Sequence, residues 1–398
     1  MKAMAIIGAG FGDEGKGRWT DLAAHRAAQQ HQSAWVIRYN GGAQAGHTVQ
    51  MPDGRRHVFH HLSSGSFAGA TTYLGPGFAV HPMLLLPEID ALDRWGATPV
   101  LRVAPEAPLT TPYDIMINQA LEQARGGARH GSCGVGFGET IQRHETPGWA
   151  LTVADMSSPK AFRERLEAIR QVYVPQRLAA LGLPLAALDP WRLHDGVLER
   201  FLADSRAAQS RWILTRPEEV QDVEVAIFEG AQGLRLDMDL GLFPHVTRSH
   251  TGLPAVLPLA RRMGVDDLAI TYVTRAYLTR HGAGPLEEEL PGPPTARVED
   301  ATNVPNPHQG TLRFAHLDVA ALNHYIQADL RRGAGQGVRL THGLAVSCLD
   351  QMEPVTTLRE GTCATIDLPA LLREACGGAW MGTSWGSDRA QAQMAIWG

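Results

Sequence analysis

Cysteine is scarce in this chain: Cys133, Cys348, Cys363 and Cys376 are its only four among 398 residues, and no two form a Cys-x-x-Cys pair. That spacing excludes a disulfide framework and a zinc site of the usual kind, and it suits a reducing compartment. Long apolar runs are missing as well. Nothing approaches the roughly 18 consecutive apolar residues that a membrane-crossing helix needs. The N-terminus passes from one lysine through a short apolar stretch to Gly8 rather than through a leader peptide. Nor is there a basic excess, since 36 Lys and Arg against 41 Asp and Glu leave a formal charge of −5. Such a chain has no general attraction for polyanions, so any phosphate must be gripped by local loops. These absences imply a cytoplasmic protein (in host cytoplasm if the chain is viral) with neither nucleic acid nor membrane as partner.

What is present reads as α/β. Met4–Ile7 and Ala34–Tyr39 are short apolar strands, each running into a glycine-rich turn, and Trp19–Ala28 between them is helical. Val225–Glu229, Leu268–Val273 and Leu344–Leu349 repeat the strand pattern, with helical patterns between, as at Ile115–Arg125 and Lys160–Ala180. Short apolar strands alternating with helices predict a large, mostly parallel central sheet covered by helices on both faces. Ligands of such sheets sit at the carboxyl ends of the strands, where these glycine turns fall. Ala179–Asp189 reads as a helix break, and Gly284–Gly310, rich in proline and acid, as one long loop, so residues 1–398 are expected to form a single domain.

The most informative segment is Gly8–Arg18. Gly10 to Lys16 matches G-x-x-x-x-G-K, whose backbone N–H groups wrap phosphate oxygens while the lysine supplies charge. A magnesium-binding Ser or Thr should follow, yet position 17 is glycine. The dinucleotide fingerprint fails too, because Asp13 stands where its last glycine belongs. A carboxylate among phosphates is repelled unless a metal lies between, or unless it takes a proton from a neutral group. The bland alternative is a solvated turn, which four glycines at 10, 12, 15 and 17 around two acids and one lysine disfavour. A phosphate-loop switch protein would need the missing hydroxyl at 17.

The run Gly12–Arg18 (GDEGKGR) resembles a signature of the adenylosuccinate synthetase family. Gly41–Thr48 (GGAQAGHT) is similar to its second signature, with His47 at the motif histidine and Gln44 at a common asparagine. Phe228–Gly233, Asp237–Asp239 and Gly241–Ser249 form a third match, with weaker echoes at Gly131–Gly138, Thr279–Pro285 and Thr383–Arg389, all in family order. The resemblance implies a phosphate-loop-related fold and a ligase acting on a purine nucleoside monophosphate. A nucleoside triphosphate phosphorylates the six-oxygen, and L-aspartate's amine then displaces phosphate. Catalytic roles would fall to Asp13 as base, to His47 and Lys16 at the phosphates, and to Gln232 on the six-oxygen. ATP or GTP would lie against Gly12, Glu14, Gly15, Lys16, Gly17, Gly46, His47, Thr48 and Asp350. The monophosphate would meet Asp13, Gln44, Ser132, Cys133, Gln232 and Thr247; Mg²⁺ would be held by Asp13 and Gly46, and the protein would be a homodimer.

Two family features are altered. The arginine-rich aspartate loop, T-T-G-R-x-R-R in the family, corresponds here to Asn303–Phe314, where Arg313 is the one arginine. Arg313, with Thr311 and Gln309, is therefore expected to bind aspartate. The guanine-reading T-K-x-D is Ser347–Asp350, which keeps the aspartate and loses the lysine. This pattern looks like the viral 2-aminoadenylosuccinate synthetases, many of which carry serine at the place of Asp13. It implies dGMP as acceptor and ATP as donor, with IMP and GTP as the alternative.

Overall fold

Alternate residues of the first strand part into two apolar layers. In the computed structural model, which describes residues 1–97, 99–188, 193–220, 223–298, 310–352, 356–359, 362–365 and 367–394, Met4 and Ile6 pack on one side and Ala3, Ala5 and Ile7 on the other. Val225 and Ile227 against Ala226 and Phe228 divide the same way, so the sheet is buried on both faces, as its unbroken apolar runs require.

Ten strands form it: β1 (Lys2–Gly8), β2 (Ala34–Arg38), β3 (Thr71–Leu74), β4 (Leu101–Val103), β5 (Ile213–Leu214), β6 (Val225–Gly233), β7 (Asp267–Arg275), β8 (Arg339–Ser347), β9 (Met381–Ser384) and β10 (Ala392–Met394). Their order is β10-β9-β8-β7-β1-β6-β2-β3-β4-β5, parallel throughout except for the β9–β10 pair. Helix α1 (Lys16–Gln29) covers one face through Trp19, Leu22 and Ala23, while helices Leu253–Arg262 and Val319–Gly333 belong to the layer on the other. Among the described residues no helix is long and apolar enough to cross a membrane.

Two expectations change in detail. The helix expected over 160–180 is helix Pro159–Ala168, a π-helical turn Ile169–Tyr173 and helix Val174–Ala180. Pro175 explains the break, because it has no N–H to donate and its ring crowds the carbonyl one turn earlier. The long loop carries a strand, Glu289–Leu290, paired with Arg313–Ala315, while positions 299–309, including Asn303, Asn306 and Gln309, lie outside the described residues.

A buried histidine supplies a stability prediction. His81, 2% exposed and with neither ring nitrogen hydrogen-bonded, precedes helix Pro82–Asp93. Burial pushes its imidazole down to about 3. The unfolded ring titrates near 6.5, so stability is full above that value and is lost as pH falls from about 6.5 towards 3. The thermal midpoint should therefore drop between pH 7 and 4.5, and His81→Leu should shrink that drop. Parallel pH profiles for the two proteins would refute a role for His81.

Candidate active site

Five strand ends deliver the site. β1 and β2 run into the two glycine loops, β6 finishes at Gly233, β7 at Arg275, and β8 leads into Cys348–Asp350. The first loop turns through Gly12 (φ 115°) and Gly15 (φ 90°) into α1, so the first N–H groups of the helix have no side-chain cap. Gly17, where a hydroxyl residue was expected, is explained by contact. A Cβ there would lie 2.9 Å from the Thr48 carbonyl oxygen and 3.2 Å from the His47 Cβ, so the second loop packs directly on the first.

Between the loops lies a cavity of about 430 Å³. It is lined by Gly12, Asp13, Gly15, Lys16, Gly17, Gly46, His47, Thr48 and Asp350, which brings together nine of the residues singled out from the sequence. Glu14 departs from that set. Its carboxylate turns under the loop, accepting from the Gly10 and Gly12 N–H groups at 2.9 and 2.7 Å and from Lys16 Nζ at 2.8 Å. Lys16 also donates to the Gly12 carbonyl at 2.7 Å, so in this state its charge braces the loop.

Asp13 keeps about a quarter of its side chain exposed, yet burial raises its carboxyl above the ordinary aspartate value. His281, whose Nε2 lies 4.0 Å away, and Arg275, which donates to the Asp13 carbonyl, oppose that rise. A carboxylate of raised proton affinity is a better base. His47, 5% exposed, has Nδ1 2.7 Å from Glu229 Oε1. Burial pushes the imidazole down to about 4, outweighing Glu229, so near neutral pH the ring donates from Nδ1 and leaves its Nε2 lone pair available. Glu229 is fully buried and held as an anion by the Ser64 hydroxyl and by Arg38 at 3.8 Å. An anion brought against Nε2 would favour its protonation and turn it into a donor.

Gln232 does not line the cavity but lies over Gly12, its Oε1 3.1 Å from where a Cβ would stand, and it adopts φ 65°. A non-glycine residue held there is strained, which is characteristic of sites with a positioning task. Gln44 sits on the second loop with both amide atoms buried and unpartnered. A buried amide without a partner has both its donor and its acceptor open to a ligand or a water. Ser132 is tied to Asn118 Nδ2 at 2.9 Å, Cys133 is next to it with its thiol pushed up by burial, and Thr247 N–H donates to Leu236. The Gly131 backbone abuts that of Gly282 and Ala283. Asp237, Asp239 and His250 lie close enough to share a metal, but Arg332 reaches all three at 3.0–3.1 Å and supplies the positive charge itself.

Two of the residues expected to bind aspartate, Arg313 and Thr311, lie outside the cavity lining. Arg313 is not at the cavity: its guanidinium pairs with both oxygens of Glu289 and donates to the Gly282 and Gly284 carbonyls at 3.1 and 2.8 Å. A substrate carboxylate would have to displace Glu289 there. Thr311 is exposed and away from the cavity. Sequence reasoning missed Glu229 although it lies inside a quoted motif, and missed Arg18, Arg275, Arg297 and Trp385, which line the cavity. It missed Asn40 too, whose amide joins Ala231 to the second loop at 2.8 and 3.1 Å.

The model of the adenylosuccinate synthetase family matches residues 5–330. Adenylosuccinate synthetase of Mycolicibacterium vanbaalenii is 34% identical over 298 residues, covering 73% of this chain and 65% of that one. The Rhodococcus opacus enzyme of the same name is 36% identical, covering 73% and 66%. The matched part of the chain thus spans about two thirds of the length of these curated relatives. Among solved structures, fully ligated adenylosuccinate synthetase from Plasmodium falciparum superposes with TM-score 0.73 at 19% identity, covering 98% of this chain and 99% of that one. Succinoaminodeoxyadenylate synthetase of cyanophage S-2L, bound to dGMP and dATP, gives 0.60 at 17% identity, covering 98% and 95%. At these identities the structural likeness shows the fold.

Proposed function

The chain belongs to the adenylosuccinate synthetase family, and from that premise we propose that it is a C–N bond-forming ligase that joins L-aspartate to the six-position of a purine nucleoside monophosphate. The observation that carries this reading is the convergence of Asp13, Lys16 and the Glu229-supported His47 on one cavity.

Oxide is a very poor leaving group, so the six-oxygen must be phosphorylated before an amine can replace it. Asp13 takes the proton from ring N1, and the six-oxygen attacks the γ-phosphorus as the bond to the leaving diphosphate breaks. His47 donates from Nε2 to the moving phosphoryl oxygens, where charge develops. Gln232, beside Gly12, donates its amide to the six-oxygen. The amine of aspartate then adds at C6 and phosphate departs. The Asp13 carboxylate and the Gly46 carbonyl are hard oxygen donors that suit Mg²⁺, which would neutralise charge on the transferring group. Ser132, Cys133, Thr247 and the unpartnered Gln44 amide hold the monophosphate.

Aspartate brings two carboxylates, and we place them at Arg297, which lines the cavity from the long loop. Losing one charge-assisted contact costs roughly 1.5–3 kcal/mol. Arg297→Ala should therefore raise KM for aspartate about 10- to 100-fold, whereas Arg313→Ala should mainly lower the thermal midpoint. The reverse pattern would restore the aspartate site to Arg313.

For the acceptor we propose dGMP, with ATP as donor, as in the viral 2-aminoadenylosuccinate branch that the altered Asn303–Phe314 and Ser347–Asp350 segments resemble, and a homodimer as the assembly. The names of the curated relatives favour a second reading, IMP with GTP. The general assignment is tested by nucleoside diphosphate release, which should require both aspartate and a purine monophosphate. Hydrolysis that proceeds without either would mark a phosphate-loop switch instead.

A further inference from the structure

Phe11 stands two residues before Asp13, in the first glycine loop. It is 5% exposed and packs with Leu278, Leu286 and Ala315 in a small apolar cluster of its own. Two guanidiniums lie over its ring, that of Arg235 at 4.6 Å from the centroid and that of Arg280 at 4.4 Å. Both arginines are buried, at 8% and 2% exposed, and the Nε of each has no hydrogen-bond partner. Their charges oppose one another: burial, with Arg313 and Arg235 close by, pulls the Arg280 guanidinium down to about 10. The negative face of an aromatic ring is what steadies cations brought together out of water.

The same two arginines reach the long loop. Arg280, at the end of strand Leu278–Arg280, donates to the Pro285 carbonyl at 2.8 Å. Leu286 packs in the Phe11 cluster, and Arg235 pairs with Glu287 at 2.6 Å. Pro285, Leu286 and Glu287 are consecutive, so one stretch of that loop is tied three times over to one side chain of the first loop. The Arg235 N–H also donates to the Gly10 carbonyl at 3.0 Å. Phe11 lies between Gly10 and Gly12, which lend the backbone no stiffness of their own. Glu14 braces the N–H groups of those glycines, and Phe11 supplies the tie to the long loop.

We propose that Phe11 is a positioning residue whose ring, held by Arg235 and Arg280, sets the Asp13 loop in register with the long loop that carries Arg297. This rests on the reading of Asp13 as the base and of Arg297 as the aspartate contact. A base displaced by about 1 Å loses on the order of 10² in rate, so a slack joint beside Asp13 is felt in turnover.

The test replaces Phe11 in the whole protein by phenylalanines carrying one, two and three ring fluorines. These keep the shape of the ring and weaken its negative face step by step. Turnover should fall stepwise, by about 10-fold over the series, with a rise in KM for aspartate. KM for the triphosphate should change by less than about 2-fold, because Glu14 braces Lys16 independently of Phe11. Phe11→Leu fills the apolar cluster but has no π-face and should show the whole loss, while Phe11→Tyr should restore most of it. A fluorinated series with unchanged kcat, or one in which only the thermal midpoint falls, overturns the proposal. An Asp13→Asn variant that turns over normally overturns the base reading itself, a different failure from a flat fluorinated series.

Discussion

Asp13→Asn and His47→Ala should each lower turnover by at least about 10², the first with a thermal midpoint near that of the wild type. General-base catalysis contributes roughly 10²–10⁴ in rate, and a donor aimed at developing charge a comparable factor. Asp13 sits on a loop braced by other groups, with Arg275 on its carbonyl and Glu14 and Lys16 beneath the turn, so removing its carboxylate leaves the scaffold intact. His47→Ala also takes a donor from the buried Glu229 and should lower the thermal midpoint. The pH profile adds a sign. Asp13 must be ionised, and burial raises its carboxyl, so the acid limb of kcat/KM should lie above the range of an ordinary aspartate. Asp13→Asn should abolish that limb. Glu229→Gln keeps the size of the side chain but removes the anion behind His47, so it should cut kcat more than KM. Near-normal turnover in both Asp13→Asn and His47→Ala would remove the ligase assignment.

The parts of this site that are legible in sequence are the local ones. A buried strand, a glycine turn and a helix start are contiguous, so β1, the first loop and α1 could be read from residues 2–29. Contacts made by sheet order are not contiguous. Trp385 shares a cavity with the first loop because β9 pairs with β8, which pairs with β7 beside β1, an adjacency no periodicity announces. The outer strands β4, β5 and β10 have only two or three residues, too few for an alternation to register. Direction is hidden as well. Glu14 follows Asp13 directly, yet one turns under the loop to meet two N–H groups and the other faces the cavity. Arg313 is the one arginine of its segment, and its pairing with Glu289, 24 residues earlier, is a cross-strand contact that no local pattern announces.

A kcat/KM ratio for dGMP over IMP of about 10² is the other large expected effect, under identical ATP, Mg²⁺ and aspartate. Guanine presents two adjacent donors, N1–H and the 2-amino group, to one carboxylate. Hypoxanthine presents only the first. With its other oxygen toward Mg²⁺, Asp13 offers the base one oxygen that both donors can share in a site where three quarters of its side chain is covered, and IMP makes only one of those two contacts. An unmade bond to a charged group costs roughly 1.5–3 kcal/mol, or about 10- to 150-fold in specificity. Carbonyls of the second loop are weaker candidates for reading the 2-amino group. Those of Ala43 and Ala45 already accept from His60 Nδ1 at 3.1 and 3.0 Å. Replacing arginines by amides and prolines in Asn303–Phe314 further removes a donor for a ribose 2′-hydroxyl, so dGMP should also exceed GMP, by a smaller factor. Adding dIMP completes the comparison, because the 2-amino group and the missing hydroxyl then vary separately. A ratio below one for dGMP over IMP would return the protein to adenylosuccinate synthesis from IMP, as the names of its curated relatives favour.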